Sequence, residues 1–163
     1  LTGGEPAIEP GERPARAVAS PARVLPPSAA VAPPQRVAGA LGWPVDGRVL
    51  KRFGAGDSGE RNDGIKIAAP LDTPVRAVAD GVVADVGTGV PGLGGVVIVK
   101  HGSALTSVYG HASQLLVQRG QAVKRGDRIA LSGESGYADR PQLHFELRSG
   151  RTPVDPLRRL PPR

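Results

Sequence analysis

Residues 75–86 have the sequence VRAVADGVVADV, in which two valine-rich runs flank the dipeptide Asp80-Gly81. β-Branched residues favour extended backbone over helix. Asp-Gly is a preferred two-residue hairpin turn, because glycine accepts the positive φ that such a turn requires. The pattern therefore predicts a β-hairpin with strands at 75–79 and 82–86.

Runs of the same kind continue along the chain. Apolar residues at 96–99 predict a buried strand, alternating residues at 105–109 and at 142–148 predict two more, and 120–130 predicts two short strands. Residues 113–117 are the one segment whose sequence predicts a turn of helix. Short, regularly spaced strands with glycine and proline between them are typical of an antiparallel all-β sandwich.

Residues 1–40 differ in composition from the rest, with eight prolines and ten alanines and no apolar rhythm. We expect them to form a disordered, flexible Pro/Ala-rich linker. Residues 41–163 then form one domain of ordinary size. The chain lacks methionine, so we expect it to be a processed piece of a longer protein whose upstream part anchors it. It has no transmembrane segment, since no run approaches the roughly 18 apolar residues of a membrane span.

The chain is basic, with 21 Lys and Arg against 15 Asp and Glu, a net charge of +6 and no cysteine. Without cysteine, disulfides and thiolate chemistry are excluded. Nucleic acid is disfavoured as a partner because aromatic residues make up 3% of the chain and do not interleave with the basic ones to form a stacking platform. An anionic cell-wall surface or an acidic partner protein fits the charge.

Five polar residues in three separate runs are candidates for a functional groove. Asn62 and Lys66 are four residues apart, so their side chains share a face if this run is extended. Gln142 and His144 also share a face, and His111 ends another predicted strand. We predict that these five side chains line one groove.

Two other polar residues stand near these runs. Glu146 is either an acceptor for a groove histidine or an exposed strand carboxylate, and His101 is expected to be structural.

The motifs resemble, in order and spacing, those of the LytM/lysostaphin-type zinc peptidases, which carry His-x-Gly-x-Asp, Tyr-x-His and His-x-His. The resemblance spans residues 42–163 and includes Gly42-Trp43-Pro44 at the entry and Gln142-Leu143-His144-Phe145-Glu146 near the end. It implies an antiparallel β-sandwich of the LytM, or duplicated hybrid motif, type. It also implies that Asn62, Lys66 and His144 stand at zinc-ligand positions, and that His111 and Gln142 stand at the positions of two catalytic histidines.

Three of these five residues differ from those of an active enzyme. A catalytic zinc needs about three protein ligands with lone pairs plus a water, and a protonated lysine has no lone pair to give. Gln142 cannot shuttle protons at neutral pH. The resemblance therefore implies a degenerate, catalytically inactive domain without metal or cofactor.

The degenerate branch of this family consists of murein hydrolase activators. This resemblance implies a periplasmic protein of a Gram-negative cell, acting in cell division. It would bind an N-acetylmuramoyl-L-alanine amidase or another wall hydrolase through the disused groove, with peptidoglycan as a further contact. We expect the ammonium of Lys66 to lie near His144 and Gln142 and to pair with a partner carboxylate.

Three alternatives remain. An active zinc endopeptidase would need Lys66 deprotonated, or Asp63 or His111 recruited as a ligand, and Asp63 is one residue out of register with the groove face. A passive peptidoglycan-binding module would use the same groove and charge as an activator. A biotinyl- or lipoyl-type carrier needs a lysine at an exposed hairpin tip, which Asp80-Gly81 does not supply.

Overall fold

The computed structural model describes residues 41–56, 59–102 and 104–162, together with the backbone of residues 23–24. The strands are β1 Arg23–Val24, β2 Val49–Lys51, β3 Gly54–Ala55, β4 Arg61–Asn62, β5 Ile65–Ala68, β6 Pro74–Arg76, β7 Gly81–Gly87, β8 Gly95–Lys100, β9 Leu105–Leu115, β10 Gln121–Val123, β11 Arg128–Ser132, β12 Gln142–Ser149 and β13 Thr152–Val154, followed by a 3-10 helix at Pro156–Arg158. The predicted linker at 1–40 lies outside the described residues, apart from β1.

The antiparallel all-β fold is confirmed. The main sheet has the order β1-β10-β7-β8-β9-β12-β5-β2, while β11 pairs with β6 and β9, and β13 pairs with β12. Strands β3 and β4 form a separate two-stranded sheet. The long strand β9 joins the layers, since it pairs with β8, β12 and β11 along its length.

The core follows the two-residue period of the strands. In β12, Leu143, Phe145 and Leu147 are fully buried and pack with Ile65 and Ile67 of the neighbouring β5. Fully burying an aliphatic or aromatic side chain of this size stabilises a fold by about 1.5–3 kcal/mol. The residues between them in sequence point to the opposite face of the sheet, which is the face that carries the candidate groove.

The predicted hairpin at Asp80-Gly81 is wrong. Strand β6 pairs with β11, and β7 pairs with β8 and β10, so the two strands separate after residue 76. The backbone between them bonds elsewhere, for example from the N–H of Ala77 to the carbonyl of Asp127 at 2.9 Å. The glycine is needed for close approach, because a Cβ on it would lie 2.5 Å from the carbonyl oxygen of Lys100.

The other predicted strands are present in the structure. Those at 96–99 and 142–148 are confirmed as β8 and β12, and 105–109 is the first part of the longer β9. Residues 120–130 contain β10 and β11, as predicted, although these pair with other strands. The helical turn at 113–117 is wrong, because residues 113–115 complete β9 and lie beside β11.

The C-terminal segment packs at the entry of the domain. Leu160 is buried, and the indole Nε1–H of Trp43 donates to the carbonyl of Pro161 at 2.8 Å. This contact joins the two ends of the described domain. Within the described residues, no helix is long and apolar enough to cross a membrane.

Candidate functional site

One row of residues crosses four strands on the sheet face opposite the core. In the strand register, Lys51 of β2 stands opposite Lys66 of β5, Lys66 opposite His144 of β12, and His144 opposite Gly110 of β9. Directly opposed residues of an antiparallel pair project from the same face. The row is therefore the floor of the candidate groove, and Gly110 leaves room there, since a Cβ on it would lie 3.4 Å from the Cβ of His144.

A bulge in β9 brings His111 into the same groove. Between the pairs Val97–Tyr109 and Gly95–Ala112, β9 has one more residue than β8, and His111 has a φ of 67°. A bulge re-aims a side chain that strict alternation would send to the other face. A left-handed backbone at a non-glycine residue costs energy and is found preferentially at functional sites. The sequence predicted that His111 ends its strand. This prediction is wrong, because β9 continues to Leu115.

Two loops hold His111 in this conformation. Its backbone N–H donates to the carbonyl of Leu93 at 2.6 Å, and its Nδ1–H donates to the carbonyl of Ser135 at 2.7 Å. The hydroxyl of Ser135 in turn accepts from the N–H of Gly95 at 3.0 Å and donates to the carbonyl of Ala112 at 2.7 Å, which closes the bulge. Sequence reasoning missed Ser135, because nothing in its own run signals a partner in a distant strand.

Lys66 and His111 form a direct pair. The Nζ of Lys66 lies 3.0 Å from Nε2 of His111. Because a carbonyl can only accept, the bond to Ser135 fixes the proton on Nδ1, and Nε2 is left to accept from the ammonium. Lys66 was expected near His144 and Gln142, and it is paired with His144 in the strand register, while its hydrogen bond is to His111.

The electrostatics of this pair follow from its burial. His111 is 1% exposed. Burial, followed by the charge of Lys66, lowers the pKa of His111 to about 4. Burial also lowers the pKa of Lys66, and the neighbouring charge of Lys51 lowers it further, against smaller opposing effects of Glu146 and Asp139. The groove floor therefore holds the uncharged imidazole of His111 beside Lys66, whose pKa is lowered.

A second chain of polar contacts runs along β12. Nε2 of His144 lies 2.7 Å from a carboxylate oxygen of Glu146, whose other oxygen accepts from Nε and Nη2 of Arg148 at 3.0 and 2.8 Å. Burial alone would raise the pKa of Glu146, but its hydrogen bonds to His144 and Arg148 and the charge of Arg148 hold it below its usual value. Glu146 is 6% exposed, so of its two predicted roles it takes that of acceptor for the histidine.

The other nitrogen of His144 is unusual. Nδ1 is buried and has no hydrogen-bond partner among the described residues. An unpaired buried polar atom costs about 1–3 kcal/mol. Glu146 orients the ring from the Nε2 side, and Nδ1 stays enclosed and unpaired on the other side.

The remaining two predicted residues differ in their positions. Gln142 is buried, in the same strand as His144 and on the same face. Asn62 and Lys66 do not lie on one continuous strand. The strand ends at Asn62, the next strand starts at Ile65, and Asn62 belongs to the separate β3–β4 sheet. Its amide donates to the carbonyl of Arg52 at 3.1 Å and accepts from the N–H of Gly64 at 3.4 Å.

The donor set does not fit a catalytic zinc ion. The amide of Asn62 is engaged with backbone, the ammonium of Lys66 has no lone pair, and the neutral His111 gives its Nε2 lone pair to that ammonium. The unpaired Nδ1 of His144 is one lone pair where about three are needed. Asp63, the alternative ligand, is partly exposed and pairs with Arg61 at 3.1 Å.

His101 lies apart from the groove, as expected for a structural residue. It is 5% exposed, its Nδ1–H donates to the carbonyl of Asp80 at 2.6 Å, and its Nε2 lies 2.8 Å from Oγ of Ser107. Ser107 Oγ lies 2.8 Å from the hydroxyl of the buried Tyr109. Burial lowers the pKa of His101, so the network is a neutral one.

Comparison with known proteins places this groove in a family. The profile of Peptidase family M23 matches residues 60–156, which include all five predicted groove residues. The catalytic domain of the prophage-encoded M23 protein EnpA from Enterococcus faecalis superposes with a TM-score of 0.66 at 33% identity, covering 72% of this chain and 94% of that one.

Three curated relatives are, by name, a cell division protein, a lipoprotein and a murein hydrolase activator. The cell division protein DipM of Caulobacter vibrioides is 41% identical over 76% of this chain and 21% of its own length. The lipoprotein NlpD/LppB homolog of Pseudomonas aeruginosa is 46% identical over 77% of this chain and 41% of its own. The murein hydrolase activator NlpD of Salmonella dublin is 41% identical over 74% of this chain and 31% of its own. The chain thus spans less than half the length of each of these relatives.

Proposed function

The chain belongs to Peptidase family M23, and we propose that it is a catalytically inactive member that activates peptidoglycan hydrolases during cell division. The observation that carries this proposal is the lysine in the groove floor. The ammonium of Lys66 is bonded to His111 at 3.0 Å, and the resemblance of the motifs assigns Lys66 to a position where the enzymes of the family carry a zinc ligand. The names of the relatives NlpD and DipM, a murein hydrolase activator and a cell division protein, agree with this function.

Hydrolysis by this groove is disfavoured by chemistry. Metal-assisted hydrolysis needs a metal-bound water and a nearby group that moves protons. Gln142 has no titratable proton, and His111 has a pKa of about 4 and gives its lone pair to Lys66. We therefore assign the groove a binding role, in which its polar side chains contact a partner protein.

The partner we propose is an N-acetylmuramoyl-L-alanine amidase of the periplasm. An ammonium has three donors, of which His111 takes one, so Lys66 can donate to a carboxylate of the partner. The name of the Pseudomonas aeruginosa relative, a lipoprotein, agrees with a location in the cell envelope.

A charge reversal in the groove tests the proposal. The Lys66→Asp variant should lose most of its ability to stimulate a purified periplasmic amidase on isolated sacculi, because the partner carboxylate would meet a like charge. The matched control is Lys124→Asp, which makes the same change at an exposed residue beyond the end of β10. Undiminished stimulation by Lys66→Asp would contradict the proposal, as would equal losses in both variants.

A further inference from the structure

Two lysines stand side by side at the edge of the groove, and among the described residues no carboxylate lies within ion-pair distance of either, although Glu146 and Asp139 act on Lys66 from farther away. Lys51 is directly opposite Lys66 across β2 and β5. Like charges in this relation destabilise a sheet. Within the described residues, neither lysine forms an ion pair, and the hydrogen-bond partner of Lys66 is the uncharged His111. The arrangement is one that an incoming anion would stabilise.

The opposite rim of the groove carries an exposed aromatic ring. Tyr137 is 88% exposed, whereas the other tyrosine of the chain is fully buried. The backbone N–H of Tyr137 donates to the carbonyl of Gly92 at 2.9 Å, and its ring lies over that glycine, where a Cβ would be 3.0 Å from Cδ2. Val90, 36% exposed, is on the same loop as Gly92.

This rim is tied to the groove floor. The loop that carries Tyr137 also carries Ser135, whose carbonyl accepts from Nδ1 of His111, and the loop that carries Val90 also carries Leu93, whose carbonyl accepts from the backbone of His111. A large exposed apolar side chain in a fixed position is a feature of protein-binding surfaces. Hydrogen bonds therefore connect the rim to the floor of the groove.

We propose that this surface recognises an acidic segment of the partner hydrolase, with a carboxylate between Lys51 and Lys66 and an apolar side chain against Tyr137 and Val90. The inference rests on the proposed function and specifies the partner chemistry. Three strand spacings separate β2 from β9, or about 14 Å. A helical segment of about ten residues spans that distance.

A protein segment fits this surface better than the cell wall does. Peptidoglycan stem peptides offer carboxylates for the lysines, but they have no large apolar side chain for Tyr137. Aromatic residues at the centre of protein interfaces commonly dominate the binding free energy.

The test is the affinity of each variant for a purified periplasmic N-acetylmuramoyl-L-alanine amidase, measured by biolayer interferometry at low and high salt. We expect Tyr137→Ser to weaken binding about tenfold or more. Lys51→Gln should weaken it roughly fivefold at low salt and reduce its salt dependence. Tyr137→Phe keeps the ring, and Lys100→Gln removes an exposed charge at the end of β8, so both should bind like the wild type.

The outcomes separate this inference from the proposed function. If the wild type binds and stimulates the amidase while Lys51→Gln and Tyr137→Ser stay within twofold of it, the inference is wrong and the proposed function stands. If the wild type neither binds nor stimulates any amidase of the cell, both fail. If the two variants lose affinity for purified sacculi and keep it for the amidase, the surface binds the wall and the inference is wrong.

Discussion

Replacing His111 with glutamine should remove much of the dependence of stability on pH below neutrality. In the folded domain, burial and then the charge of Lys66 lower the pKa of His111 from 6.5 to about 4. Between these values the unfolded chain takes up a proton that the folded domain does not. The free energy of unfolding therefore falls as the pH drops from 6.5 towards 4.

The size of the effect follows from the two pKa values of His111. Each pKa unit corresponds to about 1.4 kcal/mol, so the whole difference is worth roughly 3 kcal/mol at pH 4 and below. Glutamine can still donate to Ser135 and accept from Lys66. Any cost of placing it at a φ of 67° is independent of pH and drops out of the comparison.

Denaturant unfolding of the wild type and His111→Gln at pH 7, 6, 5 and 4 measures this difference. Trp43, the one tryptophan of the chain, is a suitable fluorescence probe because its indole bonds to the carbonyl of Pro161. The pKa values of His101 and Glu146 are also lowered, but both residues are present in both proteins and their contributions cancel. The wild type should lose roughly 2–3 kcal/mol more than the variant between pH 7 and pH 4.

A direct titration of the ring by NMR gives an independent check. The chain has three histidines, so the resonance of His111 can be assigned from the variant. Its pKa should rise in Lys66→Met, because the charge of Lys66 is the second cause of its depression. An unfolding difference that does not change with pH, together with a wild-type pKa near 6.5, would refute the reasoning.

Two further predictions concern the region where β4 leads into β5. Gly64→Ala should lower the free energy of unfolding by roughly 1–3 kcal/mol, because a Cβ there would lie 2.2 Å from the carbonyl oxygen of Phe145. The control Gly89→Ala, whose Cβ would have nothing within 4 Å, should leave the melting temperature unchanged. Equal melting temperatures of the two variants would contradict this prediction. The double substitution Asn62→His and Lys66→Asp gives, with His144, three side chains with lone pairs. It should retain close to one zinc per chain after dialysis, where the wild type retains little, and metal analysis showing no gain would mean that position 62 cannot reach the site.

The sequence was sufficient where local pattern decides the structure. The alternation through Gln142, Leu143, His144 and Phe145 assigned one face of β12 to the core, and the packing of Leu143 and Phe145 in the hydrophobic core confirms that assignment. A period of two residues is a property of any extended strand, so this inference needed no knowledge of its neighbours.

The sequence failed where distant segments decide the local structure. The dipeptide Asp80-Gly81 has the composition of a hairpin turn, but β6 and β7 find their partners elsewhere in the sheet. The position of His111 depends on a bulge that is closed by Ser135, a residue 23 positions away from the Ala112 carbonyl it binds. Asn62 and Lys66 share a motif, yet the break between β4 and β5 places them in different sheets. No spacing rule within one run reports such contacts.

We propose that this groove activates a peptidoglycan hydrolase and does not itself hydrolyse peptidoglycan. Dye release from labelled sacculi tests it most directly, with three samples: a purified periplasmic amidase alone, the amidase with this chain, and this chain alone with added zinc. We expect the chain to stimulate the amidase and to release no dye by itself. Zinc-dependent release by the chain alone would contradict it, because Lys66 and Gln142 could then not have the roles described above.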